Sequence, residues 1–218
     1  MLERISRRER YDLIIAWFAI SIAFSLAFSG GVGVWMGSPI QRTTLETYLV
    51  FLVLSMVTVG IGFVLHELAH KFSAMHFGYW AEFRKDNLML LVAVVLAALV
   101  GVVFAAPGAT MIYGSGITRQ QNGKISAAGP VTNLILCIPF AILLFISNGM
   151  YPASASQSIL VMAGMVGLQV NAMIAAFNML PVSVLDGRKV LAWNPAIFAI
   201  LIIAAFGILI ATFYPVVL

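Results

Sequence analysis

Long apolar runs separated by short polar stretches dominate the chain. A membrane-spanning helix needs about 20 consecutive apolar residues. This criterion predicts helices in six segments, 12–29, 44–75, 87–106, 127–148, 157–180 and 195–217. Asp12 is placed to cap the first helix, and Asn194-Pro195 is a start signal for the last. The pattern therefore predicts an all-α polytopic membrane protein with about six transmembrane helices.

The stretch between the third and fourth predicted helices breaks this pattern. Ala106-Pro107-Gly108 ends the helix, and residues 109–118 are typical of a short β strand or hairpin. A strand exposed to lipid would leave backbone groups without hydrogen bonds, so at membrane depth it must be covered by protein or line a wet cavity. We therefore expect a short membrane-associated β segment beside a polar cavity.

The composition agrees with a location in the lipid bilayer. Of the 218 residues, 62% are hydrophobic and 9% are charged, whereas soluble domains carry roughly 25% charged residues. The net charge of +4 does not require a nucleic-acid partner, because basic residues also mark the cytoplasmic side of membrane proteins. The single Cys137 cannot form an internal disulfide and is expected to be a small packed hydrophobe.

The basic residues also indicate the topology. If all six segments cross once, seven of the 12 Lys and Arg residues fall on the cytoplasmic side. If 87–126 enters and returns to its starting side, eleven of the 12 do, and only Arg42 lies outside. The positive-inside rule favours the second arrangement. It predicts a multi-pass protein of the cell membrane with a cytoplasmic N-terminus, and it places the ends of the second and fifth helices on that same side.

His66-Glu67-Leu68-Ala69-His70 closes the apolar run of the second predicted helix. Positions i and i+4 of a helix lie on one face, about 40° apart, so both imidazoles can bind one ion. Glu67 can then act as general base on a water molecule beside that ion. Ionisable groups at membrane depth are energetically costly, so their presence indicates a functional site.

A catalytic zinc ion usually takes three protein ligands, so a third must be found. His76 follows His66 by the ten positions of the longer pattern H-E-x-x-H-x-x-G-x-x-H, but Ser73 stands where that pattern has glycine. On an unbroken helix His76 would lie about 15 Å along the axis from His66, out of reach of the same ion. His76 is therefore expected to be an interfacial histidine.

Asp186 is the stronger candidate for the third ligand. It lies just past the fifth helix, on the predicted cytoplasmic side, and Gly187 after it permits a tight turn. The alternative is a solvated turn residue that pairs with Arg188 or Lys189, and spacing alone does not decide between the two.

Three blocks in this order resemble the site-2 protease family of intramembrane zinc metalloproteases. The first is the HELAH sequence at 66–70. The second is Ala128-Gly129-Pro130-Val131-Thr132-Asn133, similar to A-G-P-x-x-N in the family. The third runs from Asn178-Met179-Leu180-Pro181 to Leu185-Asp186-Gly187, similar to N-x-x-P-x-x-x-x-D-G. Together the blocks cover residues from about 44 to 190.

The resemblance implies a role for each matching residue. One zinc ion per chain would be bound by His66, His70 and Asp186, with Glu67 as the catalytic base, and Asn178 and Asn133 would contact the substrate or the oxyanion. Two further polar residues of the fifth helix, Gln169 and Asn171, are expected to be packing groups.

The same resemblance implies an activity, a substrate class and a domain organisation. The enzyme would hydrolyse peptide bonds of transmembrane proteins near the cytoplasmic side. Independently of the resemblance, the predicted β segment 109–118 could pair with the unwound substrate by strand addition. Ser183 and Val184 stand where the family often has prolines, which affects the local turn rather than the ligand. No linker, repeat, PDZ module or CBS module divides the chain, so 1–218 is predicted to be a single domain.

Two other functions use the same residues. A metal transporter also needs intramembrane His and Asp, but the chain lacks the internal symmetry expected of transporters. A catalytically inactive relative that only binds membrane segments would not need Glu67, which is present. The sequence indicates neither the identity of the substrate nor the oligomeric state.

Overall fold

A computed structural model of the chain describes residues 4–31, 44–101, 103, 108–150 and 159–213. Within these residues there are eight α-helices and one two-stranded sheet: α1 Arg7–Leu26, α2 Leu45–Ser55, α3 Ile61–His76, β1 Trp80–Lys85, α4 Asn87–Val100, β2 Gly108–Tyr113, α5 Arg119–Met150, α6 Ile159–Asn178, α7 Asp186–Trp193 and α8 Pro195–Ala211. A π-helical turn, Ala27–Gly31, extends α1, and another, Met56–Gly60, joins α2 to α3. The predicted all-α fold with a short β segment is confirmed.

Among the residues that the structure describes, four helical segments are long and apolar enough to cross a membrane: Arg7–Ser29, Leu45–His76, Arg119–Ser147 and Ile159–Asn178. The other two apolar helices, α4 and α8, are shorter. The 14 residues of α4 rise about 21 Å, which is less than the hydrocarbon core of about 30 Å. Asp86 caps its start, and Gly101 ends it in the left-handed conformation (φ 70°). Within 87–106, residues 102 and 104–107 lie outside the described part, as do 157, 158 and 214–217 of the other predicted helices.

The described chain divides into two compact units, and the first comprises Met1–Val64 and Glu82–Met111. Here α1 packs against α2, the second π turn and α4. The indole Nε1 of Trp17 donates a hydrogen bond to the Met56 carbonyl at 2.9 Å. A Cβ atom on Gly60 would lie 2.0 Å from the Trp17 ring, so glycine is required where α1 crosses the π turn.

The cap of α1 differs from the prediction. The hydroxyl of Ser6 accepts a hydrogen bond from the Glu9 amide at 3.1 Å and forms the N-cap. Asp12 lies inside the helix, where it is buried and pairs with Arg84 at 3.6 Å. The prediction for Asp12 was wrong because the helix extends beyond the apolar run into its polar, arginine-rich start.

The sheet contains one predicted strand and one that the sequence did not indicate. Strand β2 overlaps the expected 109–118 segment and begins one residue before it, and its partner is β1, which follows α3 along the chain. The Phe83 amide of β1 donates to the Glu9 carboxylate at 3.0 Å. The Phe83 amide of β1 is therefore already hydrogen-bonded to a side chain of α1.

The second unit comprises Leu65–Ala81 and Ile112–Leu218. Its helix α5 packs against α6 and α7, and both of these contact α8. The structure begins α5 at Arg119, eight residues before the predicted start at 127. A capping box explains the early start. The Thr118 hydroxyl accepts from the backbone N–H of Gln121 at 3.2 Å, and the side-chain oxygen of Gln121 accepts from the backbone N–H of Thr118 at 3.0 Å.

Candidate metal centre

The two histidines of the HELAH sequence lie one turn apart on α3, inside the second unit. Their Nε2 atoms are 3.0 Å apart, and both side chains are buried. At this separation the two nitrogens can share a hydrogen bond, or both can direct their lone pairs at one cation.

Asp186 completes the group as the first residue of α7. Its Oδ2 atom lies 3.5 Å from the Nε2 of His66 and 3.0 Å from the Nε2 of His70. The glycine after it permits this position, since a Cβ atom on Gly187 would lie 2.0 Å from the Met179 carbonyl oxygen. The end of α6 and the start of α7 can approach only because position 187 has no side chain.

The three ligand atoms fit a zinc ion. In a tetrahedral site with bonds of about 2.05 Å, two ligand atoms are about 3.3 Å apart, and the observed separations are 3.0, 3.0 and 3.5 Å. Within the described residues this is the cluster of His, Cys, Asp and Glu side chains that can hold a metal ion. A donor set of two imidazoles and one carboxylate is typical of catalytic zinc.

Gly129 of α5 provides room for the ion. A Cβ atom at this position would lie 2.4 Å from the Nε2 of His70 and 2.5 Å from the Nε2 of His66. These are the atoms that would bind the metal, so any side chain at position 129 would occupy the space that the ion and its ligands need. This clash explains why the A-G-P-x-x-N block has glycine at position 129.

The other ring nitrogen of each histidine also has a partner. The Nδ1 of His70 lies 2.8 Å from the backbone carbonyl of Ile125. A carbonyl only accepts, so this Nδ1 carries the hydrogen and leaves the Nε2 lone pair for a metal. The Nδ1 of His66 lies 2.5 Å from the Oδ1 of Asn133, which is fully buried. The structure therefore places Asn133 against the Nδ1 side of the His66 ring, whereas the Nε2 side faces His70 and Asp186.

The surroundings of Asp186 favour its ionised form. Burial by itself raises the pKa of a carboxyl group, but the positive charge that His70 and His66 carry when protonated, together with their hydrogen bonds, outweighs burial and lowers the pKa of Asp186. Its second oxygen, Oδ1, lies 3.8 Å from the Nζ of Lys189, whose side chain is 40% exposed. Asp186 thus contacts Lys189, as the turn-residue alternative expected, and it also contacts both histidines, as the ligand alternative expected.

The remaining predicted residues lie in different surroundings. Glu67 is buried beside His66 on α3, with 8% of its surface exposed. Asn178 is half-buried at the end of α6, and its amide donates to the Ile174 carbonyl at 3.0 Å. His76 is exposed at the last position of α3, stacks edge-on against Phe77 and is outside the metal-binding group, as expected.

Asn171, expected to be a packing group, has a partner on the neighbouring helix that the sequence did not indicate. It is fully buried and accepts a hydrogen bond from the Asn133 amide at 2.9 Å. Its position in an apolar helix gave only one signal, namely that a buried amide there needs a partner.

Curated relatives share most of the chain. It is 39% identical over 198 residues to a Methanocaldococcus jannaschii protein named "Putative zinc metalloprotease MJ0611", with 90% of each chain covered. It is 28% identical over 144 residues to "Putative zinc metalloprotease YwhC" of Bacillus subtilis, covering 62% of this chain and 66% of the relative. It is 27% identical over 182 residues to "Putative zinc metalloprotease Rip2" of Mycolicibacterium smegmatis, covering 78% and 66%. No family model and no solved structure matches the chain.

Proposed function

The chain belongs to the zinc metalloprotease family of these relatives, and from this premise we propose that it is an intramembrane protease of the site-2 type. It hydrolyses peptide bonds of transmembrane proteins near the cytoplasmic face of the cell membrane. The observation that carries the proposal is the convergence of His66, His70 and Asp186, buried beside Glu67, in a chain with four helices able to span a membrane.

The residues of the site divide the chemistry between them. His66, His70 and Asp186 hold the ion, which when bound polarises the scissile carbonyl and makes water easier to deprotonate. Glu67 takes the proton from the attacking water and delivers it to the leaving amine. The burial of Glu67 limits its contact with bulk water, so the proton is kept at the reacting atoms.

Asn178 is proposed to contact the substrate or the developing oxyanion. A side-chain amide has two N–H donors, and the bond to Ile174 uses one of them. The second donor and the amide oxygen of the half-buried side chain are available for an extended peptide. For Asn133 the proposed role changes from substrate contact to support of His66, because its oxygen faces the ring.

The proposed orientation rests on charge and on helix length. With a cytoplasmic N-terminus and 87–126 returning to its starting side, eleven of the 12 basic residues are cytoplasmic. The length of α4, about 21 Å, supports a segment that does not cross the bilayer. At the α-helical rise, the 22 steps from Thr44 to His66 correspond to about 33 Å, which would put the site near the inner boundary if Thr44 starts at the outer one.

The sheet offers a way to hold an unwound substrate. A transmembrane helix hides its amides in internal hydrogen bonds, so the segment to be cut must first become extended. An extended peptide can then join the sheet as a further strand. Because the Glu9 carboxylate accepts from the Phe83 amide of β1, we propose that the substrate joins the sheet at β2.

The test separates metal binding from proton transfer. Zinc content and cleavage of a transmembrane test substrate are measured in reconstituted wild type, Glu67→Gln and Glu46→Gln. Glu46 is exposed in the first turn of α2 and serves as the matched control. We expect zinc in all three and cleavage lost only in Glu67→Gln. Retained cleavage in Glu67→Gln would refute the mechanism, and trapping with this variant would identify the natural substrate.

A further inference from the structure

The outer face of α1 changes from charged to apolar along its length. The exposed residues that follow one another on this face, about one helical turn apart, are Arg7, Tyr11, Ile14 and Phe18. Tyr11 is 63% exposed, Ile14 52% and Phe18 45%. From the first to the last of these positions the helix rises about 16 Å. The same order is found across a membrane surface, where basic groups lie at the headgroups, tyrosine lies at the interface and apolar side chains contact the lipid chains.

Arginines are concentrated at the polar end of this face. Arg4, Arg7, Arg8 and Arg10 are all exposed. All four precede Tyr11 along the chain, and Arg7 and Arg10 are separated by only about 4.5 Å of helix. The four positive charges therefore lie at the depth where the apolar part of the face ends.

The acidic residues in the first two turns of α1 lie on the opposite face. Glu9 and Asp12 are both buried. The Glu9 carboxylate accepts a hydrogen bond from the Phe83 amide at 3.0 Å, and an oxygen of Asp12 lies 3.6 Å from the guanidinium of Arg84. These contacts with β1 fix the rotation of α1 about its own axis. The exposed side of these two turns therefore carries positive charge alone.

We propose that this outer face is a binding surface for the headgroups of anionic phospholipids. The surface, called the arginine face, consists of Arg4, Arg7, Arg8, Arg10 and Tyr11. It goes beyond the proposed protease activity and does not depend on it. A cluster of four or more basic residues directly beside a membrane-spanning helix is typical of such surfaces.

Charge and hydrogen-bond geometry both favour this partner. The planar guanidinium group of arginine matches the oxygens of a phosphate with two parallel hydrogen bonds. A zwitterionic headgroup also has a phosphate, but it brings its own cation, which neighbouring arginines repel. An anionic headgroup brings a net negative charge, so the arginine face is expected to select anionic over zwitterionic lipids.

The lipids that remain bound to the full-length protein test the inference. The chain is reconstituted with equal amounts of phosphatidylglycerol and phosphatidylcholine that have the same acyl chains, and it is then extracted in mild detergent. Native mass spectrometry counts the lipids of each kind that stay bound. We expect wild type to retain at least about fivefold more phosphatidylglycerol. This preference should fall when the salt concentration rises from about 0.1 M to about 0.5 M, because salt screens exposed charges.

Two variants with the same net charge separate the arginine face from total charge. Arg7→Gln/Arg10→Gln removes two charges from this face, and Arg119→Gln/Lys124→Gln removes two exposed charges from the start of α5. Each basic residue near an anionic surface favours binding about fivefold. We therefore expect the first variant to lose at least about fivefold of the preference and the second to keep it.

Several outcomes would overturn the inference. Equal retention of the two lipids by wild type does so, and so does a preference that is unchanged in the folded Arg7→Gln/Arg10→Gln variant. An equal loss in both double variants would show that total charge selects the lipid, which also contradicts a specific surface.

A charge-conserving variant keeps the test decisive if the glutamine variant does not insert, since basic residues also direct insertion. Arg7→Lys/Arg10→Lys retains both charges and is expected to keep a salt-sensitive preference for phosphatidylglycerol. A lysine variant without this preference, although its helix content by circular dichroism equals that of wild type, contradicts the inference. Lipid counting does not use peptidase activity, so failure of the proposed protease function would be seen separately in the Glu67→Gln test.

Discussion

Replacing Gly129 by alanine tests whether the space beside the two imidazoles belongs to the ion. The new Cβ would lie 2.4 Å and 2.5 Å from the two Nε2 atoms, whereas ordinary contacts of a Cβ begin at 3.4 Å. The rings or the backbone of α5 must therefore move by about 1 Å. Bond lengths to a bound metal tolerate about 0.2 Å, so one ligand should be lost and zinc affinity should fall at least about 100-fold.

The assay is zinc stoichiometry and chelator competition on the reconstituted protein. Gly207→Ala is the matched control, because a Cβ atom at this position in α8 meets nothing within 4 Å. We expect Gly207→Ala to bind zinc like wild type. If Gly129→Ala also kept full zinc affinity while folded, the ion could not lie between these two rings, and the assigned metal centre would be wrong.

Three further predictions concern other positions. His76→Ala should retain zinc, because the exposed ring lies outside the ligand group; a drop in zinc stoichiometry would contradict the assignment of the third ligand. Gly187→Ala should weaken zinc binding as strongly as Asp186→Ala, because its Cβ would meet the Met179 carbonyl oxygen at 2.0 Å and displace the start of α7; equal affinity with wild type would contradict this. Thr118→Ala should reduce the free energy of unfolding by about 1 kcal/mol through loss of the cap of α5, with unchanged zinc affinity, as measured by denaturant titration.

The sequence predicted the parts of the site that depend on local geometry. His66 and His70 share a helix face by their spacing alone, and their position after an apolar run made a buried ion site the natural interpretation. The assignment of Asp186 required more information than spacing, because spacing alone fits both a metal ligand and a solvated turn residue. The resemblance to a family supplied the choice, and the distances to both histidines support it.

Other features depend on contacts between distant segments. Strand β1 carries charges at Glu82 and Arg84, which disfavour a strand on local grounds. Its contacts with α1 are tertiary, because Glu9 accepts from the Phe83 amide and Asp12 lies 3.6 Å from Arg84. The early start of α5, in contrast, had a local signal in Thr118-x-x-Gln121 that a search for apolar runs overlooks.

The short helix α7 and the hydrogen bond between Asn171 and Asn133 were not predicted either. Eight residues that begin with Asp-Gly give too little periodicity to indicate a helix. The function of a buried amide depends on what lies opposite it, and in this protein the partner of Asn171 is 38 positions away in the chain.

The third ligand begins a helix near the C-terminal end of the chain, about 116 positions after His70. During synthesis, the histidine pair of α3 is complete long before the ribosome has made Asp186. If His66, His70 and Asp186 bind zinc as proposed, the full ligand set exists only after α5, α6 and the start of α7 have been made. The proposed protease would therefore lack its complete metal site while the earlier part of the chain is being inserted.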